Sequence, residues 1–348
     1  MKKVDYLIVG QGIAGTLLAW ELKKSGQSIF VLNKETENTS SNKAGGLYNP
    51  ITGRKMVKTW LADEIFPTLE TYYADLEKEL GASFLFPKAI YRPFFSIEEQ
   101  NDWQGKASAD EFSRYIKSLN HSSLGIDGVE DPFGGLELQM SGSVDLPILI
   151  QQARKHFRSR GEYAAEVFEY EQLELLEAGV RYKNFEANRV VFCEGPDATS
   201  NPLTNHLPFK PVKGELLKIR TALSGEQIVN RGVFILPKEG FFKVGSTYDH
   251  ARLDHEPTEA GRKNITERLA KIYKNDFEVV DHTAGVRPAT FDRRPFVGML
   301  GSHQQIGVFN GFGTKGVSLV PFFATQFVNY LLGKGELYPE VDLRRVEK

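Results

Sequence analysis

One segment constrains this chain more than any other: Gly10-x-Gly12-x-x-Gly15, set between an apolar run at 4–9 and a helix-like stretch that reaches Lys24. The run Val4-Asp5-Tyr6-Leu7-Ile8-Val9 has the near-continuous apolar character of a strand covered on both faces. Gly10 permits a tight turn, Gly12 lets the backbone approach a pyrophosphate, and Gly15 lets the helix pack closely on the sheet. The free N–H groups of the first helical turn, around Ile13 and Ala14, then face an anion. Gly26 stops the helix, and 28–32 reads as the second strand of a βαβ unit. An ordinary glycine-rich turn is the plain alternative, but the strand–loop–helix setting favours a dinucleotide. Asn33 stands where an acidic residue usually takes the ribose 2′-OH. Asn33-Lys34 without a carboxylate is also what a 2′-phosphate would meet, so the spacing alone leaves NADP, or a non-catalytic dinucleotide-binding protein, open.

Composition removes other classes. The 348 residues carry 43 basic and 45 acidic side chains, a net charge of −2, which offers no electrostatic footprint for nucleic acid. A single cysteine rules out an internal disulfide framework and a cysteine zinc cage, and fits a reducing cytoplasm. The seven histidines are scattered without metal-ligand spacing, so no metal site is expected. Asp5 and Gln11 interrupt any signal-like stretch, and Pro321, Gln326 and Asn329 interrupt 317–332, so the expectation is a soluble chain without a membrane span.

Further along, 59–80 reads as helical with a break at Pro67, 89–95 as a strand, 121–135 as loop, and 146–160 as an amphipathic helix ended by Gly161. A buried strand is expected at 189–193, antiparallel strands at 216–220 and 233–246 with a turn at 238–240, and a charged helix at 258–274. This order points to two interleaved domains rather than two beads. Three more segments carry chemistry. Ser41-Asn42-Lys43-Ala44-Gly45-Gly46-Leu47-Tyr48-Asn49-Pro50 is small enough to lie flat against a planar ligand, or is a plain turn. In Gly285-Val286-Arg287-Pro288, proline fixes an arginine whose fork suits a carboxylate, though a surface arginine beside a turn is the commoner case. Asn310-Gly311-Phe312-Gly313-Thr314-Lys315-Gly316 opens a helix, where the positive dipole end and Lys315 would stabilise a developing anion; otherwise it is a glycine hinge.

Together these pieces resemble the D-amino-acid oxidase and glycine oxidase family of FAD-dependent oxidoreductases, from Lys3 to about Gly333. The most specific matches are Ala44 to Pro50 and the Gly-x-Arg-Pro-x-x-x-Asp-x-x-Pro-x-x-Gly run from Gly285 to Gly298. Phe192-Cys193-Glu194-Gly195 is similar to the family's apolar strand ending in glycine, and Pro211 to Glu215 to its entry into the substrate domain.

The resemblance implies an α/β fold in which a Rossmann-like FAD-binding domain (1–85, 141–212, 284–348) is interleaved with an α+β substrate domain (86–140, 213–283) on a mostly antiparallel sheet. It places Gly10, Gly12, Gly15 and Asn33 at the ADP half of FAD and Ser41, Gly46 and Leu47 along the flavin. Val167 falls near adenine, Gly195 near the strand end that passes the cofactor, and Gly313, Thr314, Lys315 and Gly316 at the pyrimidine edge. Arg287 matches the arginine that binds a substrate carboxylate. The activity implied is oxidation of the C–N bond of a small amine or amino acid by hydride transfer to the flavin. Some relatives act instead on a carboxymethylaminomethyl group of tRNA uridine. Two departures stand out: Asn33 replaces the acid, and Phe234 lies where amino-acid oxidases often carry a tyrosine hydroxyl, a gap Tyr248 is a candidate to fill. Related sarcosine oxidases attach flavin through cysteine, whereas Cys193 belongs to the buried strand, so the FAD is expected to be held noncovalently. Oligomeric state and electron acceptor are not legible.

Overall fold

The computed structural model describes residues 1–53, 55–223 and 227–347; Lys348, the last residue of the expected cofactor-binding segment, lies outside them. Its parallel sheet forms around the expected βαβ unit. Lys2–Val9 pairs in parallel with Ile29–Asn33 on one side and with Phe185–Phe192 on the other. Tyr163–Ala165 extends one edge beside Ile29–Asn33, and His303–Asn310 extends the other beside Phe185–Phe192. Leu7, Ile8, Val31, Leu32, Val190 and Val191 are fully buried, as strands covered on both faces require. The helix Ile13–Lys24 lies on one face, against Gly316–Leu331 and Leu146–Ser159.

The second sheet runs in the order Phe277–Arg287, Val212–Thr221, Phe241–Gly245, Val233–Lys238, Ile228–Arg231, Ile90–Pro93, Gly135–Leu138, Ile116–Asn120. All its pairings are antiparallel except that of Ile228–Arg231 with Ile90–Pro93. Helix Glu259–Leu269 covers the outer face through Ile265 and Leu269, packed with Leu217, Ile235 and Val244. The inner face is left to a cavity shared with the parallel sheet. Among the described residues, no helix is long and apolar enough to cross a membrane.

Some local expectations are corrected. The helix expected at 59–80 runs unbroken as Ala62–Leu80 through Pro67, and the charged helix expected at 258–274 is shorter, Glu259–Leu269. A helix at Ile97–Lys106, capped by Ser96, was not expected from the sequence. Proline in a helix removes one N–H and orphans the carbonyl four residues earlier. Gly316–Leu331 shows how that is met: Pro321 cannot bond Val317, and the Tyr73 hydroxyl donates to the Val317 carbonyl at 2.7 Å instead. Tyr73 is fully buried, so the bond is made away from water. Tyr73→Phe should therefore lower unfolding free energy by about 1–3 kcal/mol, the usual cost of a buried group left unsatisfied. Urea denaturation would read this as a lower midpoint at unchanged slope; an unshifted midpoint would show that the carbonyl finds another donor.

Candidate active site

Ligands of open α/β sheets bind beyond the carboxyl ends of the strands, and here those ends open on one cavity of about 1470 Å³. Its wall includes Gly10 and Asn33, Val167, Glu194 and Gly195, and Asn310, each at or just past the end of a parallel strand. The volume exceeds the roughly 300–1,000 Å³ that suffices for a drug-sized molecule. A dinucleotide and a substrate fit together in such a space.

The glycine loop is shaped as a cradle. A Cβ on Gly10, at φ +96°, would lie 2.5 Å from the Cys193 carbonyl oxygen, and one on Gly15 would lie 1.9 Å from that of Gly10. Gly15 does not line the cavity; it lets the helix sit down on the loop. Ser41 Oγ accepts from the Ile13 N–H at 3.1 Å. The next first-turn N–H groups have no acceptor within the helix and are free to meet an anion. Asn33 Oδ1 accepts from the Gln11 N–H at 2.8 Å, and its amide donates to the Tyr163 hydroxyl at 3.3 Å. One lone pair and one amide proton remain for a ribose. Lys34, the residue that would meet a 2′-phosphate, is in a surface ion pair with Asp197 at 3.1 Å.

Ser41, Gly46, Leu47, Gly313, Thr314, Lys315 and Gly316 line the same cavity, as do Arg287 and Tyr248. The segment expected as a flat loop opens instead as a short helix, Ser40–Lys43, packed on Phe277–Arg287 with Ser40 Oγ donating to the Val286 carbonyl, and 44–46 lead from it into the short strand Leu47–Tyr48. Arg287 extends over Gly214, where a Cβ would stand 1.8 Å from its Nη2. Its guanidinium donates to Ser246 Oγ at 2.8 Å and the Thr247 carbonyl at 3.1 Å, and stacks on the Tyr248 ring at 4.8 Å. No carboxylate pairs with it among the described residues. Burial pushes its pKa down. Tyr248 is exposed and engages Arg287 through its ring.

Charge is divided across the cavity. The acids in its described wall, Glu166, Glu194 and Asp197, follow the parallel strands, as does Lys34; the antiparallel sheet contributes Arg92, Arg231 and Arg287, the helix Glu259–Leu269 and the turn after it Arg268 and Lys271, the short helix Ser40–Lys43 contributes Lys43, and the start of the last helix Lys315. Sequence reasoning missed Arg92 and Glu194. Glu194 is pushed up to about 7 by burial, against hydrogen bonds from Tyr170 and Asn201 that favour its ionised form. Cys193 is a free, buried cysteine packed on the glycine loop, and burial pushes its thiol up. It lies just past Phe185–Phe192 rather than within it.

A family profile described as FAD dependent oxidoreductase matches residues 5–329. The chain belongs to the D-amino-acid oxidase family of FAD-dependent oxidoreductases. Its cofactor is therefore FAD, and the cradle and the segment 44–47 fit that molecule. Glycine oxidase of Pseudomonas putida is 23% identical over 354 residues, covering 94% of each chain. The tRNA 5-methylaminomethyl-2-thiouridine biosynthesis bifunctional protein of Legionella pneumophila is 24% identical over 382 residues, covering 94% of this chain and 54% of the relative. This chain thus spans about half the length of that relative. The solved iminodiacetate oxidase of Chelativorans superposes with a TM-score of 0.80 at 18% identity, covering 98% of each chain, and supports the fold.

Lys315 stands where the last helix begins, its amine buried. Its Nζ donates to Thr52 and Thr59 hydroxyls at 3.1 and 3.4 Å, with no acid paired to it among the described residues, and burial, aided by the Arg92 charge, pushes its pKa from 10.5 down to about 8. Below about 8 the folded protein bears the full penalty of the buried charge. From there up to the unfolded value the unfolded chain binds more protons, so stability rises with pH. The apoprotein's Lys315→Met variant should therefore melt higher than the parent at pH 7, with the gap narrowing by pH 10. A gap constant across that range would remove Lys315 as its source.

Proposed function

We propose that this FAD-dependent oxidoreductase oxidises the C–N bond of a small amine or amino acid bearing a carboxylate. The observation that carries the reading is Arg287: a half-buried guanidinium on the cavity wall, held by Ser246 and Thr247 and lacking an acid of its own. An arginine so oriented presents a fork to a carboxylate. Gly10, Gly12, Ile13, Ala14 and Asn33 would hold the ADP half of FAD, with Gly15 seating the helix on their loop and Val167 and Gly195 beside it. Ser41, Gly46, Leu47 and Gly313 to Gly316 would hold the ring. Bound there, FAD supplies the acceptor for a hydride from the carbon next to nitrogen, and water hydrolyses the product imine.

The chain's own part is binding and orientation. Arg287 fixes the carboxylate, Tyr248 backs its guanidinium, and Phe234 and Leu216 form an apolar floor that excludes water. Lys315 and the N-terminus of Gly316–Leu331 set a positive field where electron density accumulates. No acid–base side chain is required beyond a neutral amine. Cys193 sits against the glycine loop, away from the segment 44–47, which supports noncovalent attachment. The two sheets support the division into 1–85, 141–212 and 284–348 for FAD and 86–140 and 213–283 for substrate except at 284–287, which complete the antiparallel strand Phe277–Arg287. A cytoplasmic setting rests on the unpaired buried cysteine.

The purified protein should show flavin absorption bands, and anaerobic addition of a substrate from a panel of amines and amino acids should bleach them. A colourless protein that cannot be reconstituted with FAD would end this reading. Arg287→Ala should raise KM for carboxylate substrates by roughly tenfold to a hundredfold, the worth of one charged hydrogen-bonded contact. Gly214→Ala should reproduce much of that effect by displacing the guanidinium, with FAD content unchanged; an unaltered KM in both would remove Arg287 from the site.

A second reading, action on a carboxymethylaminomethyl group of tRNA, is favoured by the Legionella relative and by the cationic wall. There Arg287 would grip the same carboxylate. A gel-shift with tRNA across a salt series separates the two, because phosphate contacts make affinity fall steeply with salt.

A further inference from the structure

The substrate side of the cavity carries more positive charge than Arg287 and Lys315 need for the roles given above. Arg92, on Ile90–Pro93, is 3% exposed and yet forms part of the cavity wall. Its Nη2 donates to the Gly53 carbonyl at 3.0 Å and its Nη1 reaches that of Ile51 at 3.5 Å, while its buried Nε has no partner. Glu99 is the acid that acts on it, but Glu99 is gripped by Arg231 at 2.6 and 2.8 Å. Burial, with the Arg231 charge adding to it, pushes Arg92 down to about 10. A buried cation with an orphaned donor and no acid of its own is costly unless an anion joins it.

We infer that Arg92 receives a second anionic group on the substrate, so that the preferred substrate is an amino acid with a carboxylate or phosphate at its far end. This rests on the reading that Arg287 takes the first carboxylate. Arg287 and Arg92 belong to the same sheet, on strands five steps apart. At about 4.8 Å per step their backbones stand about 24 Å apart. Both side chains reach into the one cavity, and Phe234 lies on a strand between them. Even two long arginines leave a gap that only a substrate of several bonds can bridge. An amine the size of glycine would satisfy Arg287 and leave Arg92 unpaired.

The test is equilibrium binding of non-oxidisable acids to the FAD-loaded protein, read from perturbation of the flavin bands and, independently, from thermal shift of the apoprotein. The probes are butyrate, hexanoate and octanoate, the dicarboxylates succinate, adipate and suberate, and the matching ω-phosphonocarboxylates. At least one doubly anionic acid should bind tenfold or more tightly than the monocarboxylate of its length, and the better series identifies carboxylate or phosphate. Arg92→Gln should bring that ratio to within twofold while leaving the monocarboxylate affinity in place, and Arg92→Lys should keep part of it. Arg287→Gln should weaken both kinds of acid. Equal binding of single and double anions by the parent protein overturns the inference, and decides it even if the Arg92 variants do not fold. An Arg92→Gln variant that is merely less stable, with the ratio intact, overturns it too and leaves Arg92 as a clamp for 51–53. If Arg287→Gln spares monocarboxylates while the Arg92 effect persists, it is the reading of Arg287 that fails.

Discussion

Everything in this molecule is arranged around a contact between backbones. The Gly10 turn lies directly on the end of Phe185–Phe192, so close that a side chain at Gly10 would enter the Cys193 carbonyl. Two hydrogen bonds lock the approach: the Gly10 N–H donates to Leu32 at 2.8 Å and the Cys193 N–H to Val9 at 2.7 Å. Three strands are thereby tied at their carboxyl ends, and the helix Ile13–Lys24 has one place to start. The helix axis, its free N–H groups and the mouth of the cavity follow from that start. Gln11 extends the lock, bonding Asn33, the Ile150 carbonyl and Arg154 at once.

The antiparallel sheet answers with charge. It presents Arg92 and Arg287 to the cavity, the first beside an acid already held by Arg231 and the second without a carboxylate among the described residues, in surroundings where burial weakens solvent screening. Such an arrangement is poorly self-compensated and strongly ligand-compensated. On the proposed reading an anion entering the cavity would relieve Arg92 and Arg287, and their spacing along the sheet decides which anions could satisfy both. Glu166, Glu194 and Asp197 line the other side of the cavity, past the ends of the parallel strands.

Much of this was legible in the sequence, because the features concerned are local. A strand, a glycine spacing and a helix start are all written within about fifteen residues, and the Arg287-Pro288 and Gly313 to Gly316 segments are equally compact. What escaped depends on contacts between distant segments. Pro67 looks like a helix break to a local rule, but the helix runs through it, and no local rule shows that at Pro321 a tyrosine from another helix supplies the missing donor. Arg92 is a single arginine in a four-residue strand; only the sheet order sets it in the wall that also holds Arg287. Glu194 stood in a motif quoted for its glycine, and its burial depends on Tyr170 and Asn201 closing over it.

Phe234 shows how a departure at one position is tied to packing at another. Its Cζ stands 2.7 Å from where a Cβ of Gly45 would be. The ring therefore fills the space that Gly45 vacates, and the loop at 44–46 rests on it. A tyrosine hydroxyl projects from that same Cζ, so at this position it would drive into the Gly45 backbone instead of reaching a carboxylate. Restoring the hydroxyl would cost the loop its seat. On the proposed reading, polar groups for a substrate carboxylate would come from the other end of the sheet, where Arg287 donates to Ser246 Oγ at 2.8 Å. The absent hydroxyl and the glycine of that loop are thus two sides of one fit: the ring that packs the cofactor loop cannot also be the arm that holds the substrate.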